Sequence, residues 1–70
     1  MGNRFDIIFA YQSPSEEDIA KYQAIRAAAR VFAEVVCQVT PACADQSAAI
    51  RKIREAVMTA NAAIALKGVS

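Results

Sequence analysis

Tyr11 stands immediately before a predicted helix start, and Arg26 and Arg30 lie one turn apart further along that helix. An aromatic ring that stacks on a base and a guanidinium that meets phosphate are a usual pair for holding a nucleotide. The same residues have plainer roles. Tyr11 can end a buried aromatic stripe. Arg26 and Arg30 can belong to a solvated face, with Arg30 paired to Glu34 one turn on. Arg51, Lys52 and Arg54 form a second basic cluster, read as a solvated face in which Arg51 can pair with Glu55. Lys67 falls near a predicted helix end, where a cation suits the dipole without any ligand.

Catalytic chemistry has little to draw on. The chain contains no histidine, the usual general acid or base near neutral pH. Glu16, Glu17 and Asp18 fall where carboxylates ordinarily stabilise a helix start. Ser13 reads as a cap rather than a nucleophile, and Cys37 has no histidine to activate it. Two cysteines, Cys37 and Cys43, cannot complete a tetrahedral zinc site without histidine. A disulfide between them would close only a short loop, so both are read as free thiols acting as small apolar residues. The expectation is a binding protein with no catalytic residues, no metal and no cofactor.

The elements that must position these residues are few. Seventy residues make one domain, 1–70, with 56% hydrophobic residues and only two Gly and two Pro. Chains this small bury little core and usually need a disulfide, a metal or an oligomer. Net charge is +1, from 8 basic and 7 acidic residues, which argues against a DNA or RNA polymer as partner. No apolar run is long enough to span a bilayer, and no secretory signal is present, so the expected location is cytoplasmic.

Along the chain, Phe5, Ile7, Phe9 and Tyr11 alternate onto one side of an extended segment. This predicts an ordered N-terminal arm over about 1–13. Ser13, Pro14 and Glu16 spell a capping box with proline at the first helical position, so a helix is expected over about 14–38. Tyr22, Ile25, Ala29, Phe32, Val36 and Val39 form its heptad-like seam. Ala20, Ala24, Ala27, Ala28, Val31 and Val35 form a second face of smaller residues. Pro41 breaks the helix. A second helix is expected over about 46–67, with Ile50, Ile53, Val57, Ala60 and Ile64 in register and Gly68 as a cap residue. The short link makes the pair an antiparallel hairpin. Ala56, Met58, Ala62, Ala63 and Leu66 then lack an intrachain partner, and only another copy or a foreign protein can cover them. Asn61, the lone polar side chain there, must find a hydrogen bond. The fold class is all-α: a two-helix antiparallel hairpin with an extended arm, assembled into a homo-oligomeric bundle.

The stretch "DQSAAIRKIREAVMTANAAIAL" resembles the hairpin domain shared by two phage anti-defence families, anti-CBASS protein two and Thoeris anti-defence protein one. The core "EAVMTANAAIA" carries the likeness, together with Tyr11, a following proline and "AIRAAARVFA" upstream. The resemblance spans roughly Tyr11 to Lys67 and is closer to the short anti-CBASS branch. It implies a small homo-oligomer, commonly a hexamer, that sequesters cyclic nucleotide messengers of bacterial immunity without cleaving them. Cyclic dinucleotides occupy pockets built by helices of two protomers, and cyclic trinucleotides occupy separate sites where three protomers meet. Tyr11 matches the family tyrosine that stacks on the base, and Arg26 falls at the family's basic residue, often lysine. Thr59 stands where the family often has Trp. Leu66 stands where an Arg often follows, leaving Lys67 as the nearest basic side chain. A phage protein of this kind would act in the host bacterial cytoplasm. Two other readings stay open: an anti-Thoeris sponge for cyclic ADP-ribose isomers, and a helical interaction module docking on a host protein.

Overall fold

A serine followed by three carboxylates starts the first helix. The computed structural model describes residues 14–67. They form two helices, α1 Glu16–Val39 and α2 Ala44–Ala65. The cap expected at Ser13 is corrected to Ser15. Its Oγ accepts from the Asp18 N–H at 3.1 Å, and the Asp18 carboxylate accepts from the Ser15 N–H at 3.4 Å. The sequence spells two overlapping boxes, and this one wins for an electrostatic reason. With Ser15 as cap, Glu16, Glu17 and Asp18 all occupy the first turn, where the dipole rewards negative charge. With Ser13 as cap, two of the three would lie beyond that turn. The arm expected over 1–13, Tyr11 included, lies outside the described residues.

The turn is closed by side chains as well as by proline. The Thr40 N–H and hydroxyl both donate to the Val36 carbonyl, at 3.1 and 2.6 Å. The Gln46 carboxamide reaches back from α2 and donates to the Thr40 carbonyl at 3.1 Å and to its hydroxyl at 3.0 Å. Pro41 follows the cap at Thr40, where it cannot continue the helix. Helix α2 begins at Ala44, slightly earlier than expected, with Cys43 as an N-cap that makes no side-chain bond. Asp45 supplies the negative charge in its first turn. Cys37 and Cys43, on either side of the turn, are free and exposed.

At the other end α2 stops at Ala65. The Leu66 N–H donates to the Ala62 carbonyl at 2.9 Å and the Lys67 N–H to the Ile64 carbonyl at 3.2 Å. Lys67 takes a positive φ of 51°. Lys67 therefore takes a left-handed position, and Gly68, expected as the cap residue, lies outside the described residues. For a residue with a Cβ this costs about 1–2 kcal/mol.

The helices, roughly 36 and 33 Å long at 1.5 Å per residue, form the expected hairpin. The start of α1 and the end of α2 line one depression, so they run antiparallel. Their seam is half-buried at Tyr22, Ile25, Ala29, Ala33 and Val36 on α1, and at Ile50, Ile53, Val57, Ala60 and Ile64 on α2. Two seam residues are corrected: Phe32 and Val39 are 59% and 73% exposed. A straight helix drifts about 20° per heptad from a strict seven-residue repeat. By the fourth turn, that drift brings Ala33 to the partner in place of Phe32. Along the second face, Val31 and Val35 are exposed with the alanines around them. Ala62 and Leu66 are half-buried, whereas Ala56, Met58 and Ala63 are exposed. No described residue of either helix is buried.

Candidate functional site

The seam has a groove along each side, and their linings differ in chemistry. One groove, about 360 Å³, runs between Ile25, Ala29 and Phe32 of α1 and Ile53, Val57 and Ala60 of α2. Lys52 is its one charged neighbour among the described residues. The other, about 400 Å³, lies between Tyr22 and Arg26 of α1 and Met58, Asn61, Ala62 and Ala65 of α2. The helical period explains the split. Residues 22 and 26 lie to one side of the seam direction, and 25, 29 and 32 lie to the other.

Arg26 is the sequence-predicted residue that the polar groove contains. It is exposed. Among the described residues it joins no ion pair, because the one pair there is Arg30 Nε to Glu34 Oε1 at 3.0 Å. Tyr22 lies four residues before Arg26, which on a helix puts their Cβ atoms about 5–6 Å apart. Asn61 faces them from α2, and its Oδ1 is shielded from solvent without a hydrogen-bond partner. Ring, guanidinium and carboxamide can together stack on a base, meet a phosphate and read a base edge.

The other predicted residues do not converge there. Arg30 is one turn beyond Arg26 and is held by Glu34. Lys67 lines a separate depression of about 550 Å³ at the open end of the hairpin, with Ser15, Glu17, Asp18 and Lys21. Tyr11 lies outside the described residues. Sequence reasoning placed Tyr22 in the seam and did not connect it with a site. The signal was present, since an aromatic and an arginine four apart share a helix face. Arg51 does not pair with Glu55, which corrects that expectation. Among the described residues no His, Cys, Asp and Glu cluster could hold a metal. No described helix is long and apolar enough to cross a membrane.

The described residues are a helical hairpin without a core, with an apolar groove on one flank and an aromatic–cationic groove on the other. The family described as Acb2/Tad1, hairpin domain, matches residues 1–65, and the chain belongs to that family. Membership is consistent with a role in phage anti-defence. No curated protein and no solved structure matches the chain.

Proposed function

We propose that this chain is a phage immune-evasion protein that binds cyclic oligonucleotide second messengers and holds them away from CBASS-type effectors. The family match over residues 1–65 carries the reading. The ligands are cyclic dinucleotides such as cyclic GMP-AMP, with cyclic trinucleotides as a second class near Lys67. The messenger is sequestered and not cleaved. Arg26 meets a phosphate, Tyr11 stacks on a base, and the working form is a homo-oligomer, a hexamer in this reading, inside the host bacterial cytoplasm. The exposed Phe32 and Met58, at 59% and 61%, support a partner copy. Apolar side chains on a hairpin without a core favour being covered.

Native mass spectrometry with and without cyclic GMP-AMP tests this. The expected result is a closed homo-oligomer that takes up ligand at fixed stoichiometry and releases it intact after long incubation. A docking module for a host protein would show no nucleotide shift. An enzyme would return altered ligand. An anti-Thoeris sponge would take up cyclic ADP-ribose isomers in place of cyclic dinucleotides.

A further inference from the structure

The polar groove contains one group whose bonding is incomplete. Asn61 Oδ1 is shielded from solvent and accepts no hydrogen bond. A carbonyl oxygen in that state has lost its water and gained nothing in return. The two side-chain donors bordering the groove among the described residues, Tyr22 and Arg26, make no bond to it. Met58, Ala62 and Ala65, the remaining lining, carry no side-chain donor. Backbone N–H groups in a helix interior are already committed to carbonyls one turn back. Asn61 as a whole is only half-buried. Its terminal torsion is broad and the residue lines the groove, so the carboxamide can turn both of its ends toward a ligand there.

We propose that Asn61 reads the base of the bound nucleotide and makes this groove prefer adenine to guanine. The proposal rests on the cyclic-nucleotide reading above and adds a specificity residue to it. A carboxamide presents an acceptor beside a donor. Adenine presents the complement, its N6 amine beside the N7 acceptor, so both ends of Asn61 are satisfied at once. Guanine presents O6 and N7, two acceptors. It can take the Asn61 N–H but leaves the oxygen without a partner, as it already is. Tyr22 offers the base a stacking ring. Arg26, one turn along the same helix, can meet the adjoining phosphate.

The test is calorimetric titration of the full chain with cyclic di-adenylate, cyclic di-guanylate and a cyclic di-adenylate whose adenines are 7-deaza. The parent should bind the adenine ligand roughly tenfold tighter than the guanine ligand, within the usual range for one good bidentate contact. Replacing N7 by carbon should cost about fivefold or more, since it removes one of the two bonds. In Asn61→Leu the adenine preference should collapse. The 7-deaza ligand needs no variant, so the test stands even if Asn61→Leu fails to fold. Equal binding of the adenine and 7-deaza ligands would overturn the inference and leave the sponge reading intact. So would an unchanged preference in Asn61→Leu. If Asn61→Leu alters the oligomer while the 7-deaza ligand binds like its parent, the carboxamide serves a contact between copies and the inference falls. A parent that binds none of the three overturns this inference, and the sponge reading falls with it when cyclic GMP-AMP is not taken up either.

Discussion

The two grooves beside the seam are built by the same pair of helices and have nearly the same volume, yet they suit different occupants. The groove along Phe32 and Ile53 presents aliphatic and aromatic carbon and one lysine at its edge. The groove along Arg26 and Asn61 carries a guanidinium that joins no ion pair among the described residues and a carboxamide oxygen lacking a partner. Area alone separates them poorly. What separates them is whether the side chains have unmet hydrogen-bonding capacity, because an apolar surface gains from any dry neighbour and an orphaned polar group only from a matching one. On the proposed reading the first groove is a packing surface and the second a recognition surface.

The sharpest way to break this comparison is to put a charge in the packing groove. Phe32→Asp should reduce the oligomer to smaller species in sedimentation at micromolar concentration. Roughly 1–2 kcal/mol of apolar burial per copy is lost before the cost of covering a carboxylate is counted. An unchanged oligomer would mean that Phe32 stays in water in the assembly. Next in size is Arg26→Ala, which should leave assembly intact and weaken cyclic dinucleotide binding about tenfold or more, given about 1.5–3 kcal/mol for a hydrogen bond to a charged group. Dissociation of this variant, with ligand affinity preserved, would exchange the roles of the two grooves.

Smaller effects sharpen the boundaries of the recognition surface. Lys67→Gly should raise stability by about 1 kcal/mol in urea unfolding, because glycine adopts the positive φ without a Cβ clash. It should leave cyclic dinucleotide binding alone, since Lys67 lies in a different depression from Arg26. The smallest change is expected of Arg30→Ala. Its exposed pair with Glu34 contributes no more than about 0–1 kcal/mol, and its guanidinium is already engaged. A loss of ligand affinity matching that of Arg26→Ala would extend the recognition surface one turn further.

How much of this was legible in the residues depended on the range of the interaction. Helix α2 and its seam, Ile50 to Ile64, followed from spacing alone, because every apolar step of three or four falls on one face. Pro41 marked the turn, but the Gln46 bonds to Thr40 that close it join residues in different elements. The first cap was misplaced because Ser13 and Ser15 both head an acceptable box, and only the summed effect of three carboxylates decides between them. Phe32 and Val39 were misplaced because a strict heptad differs slightly from the true helical period, and the error grows along a long helix. Arg30's partner was visible as a four-residue spacing to Glu34. The grouping of Tyr22 with Asn61 was not, since it depends on the antiparallel register of the two helices.

The absence of any buried residue in the two helices has a consequence for how such a chain behaves in a cell. A hairpin with no dry interior has little holding it folded apart from whatever covers its flanks. Its melting temperature should therefore climb with its own concentration, as mass action requires when copies bind only the folded form. Amide hydrogen exchange along α1 and α2 should slow in step. Dilution would then act as a denaturant, and the amount of protein made would set how much of it is folded.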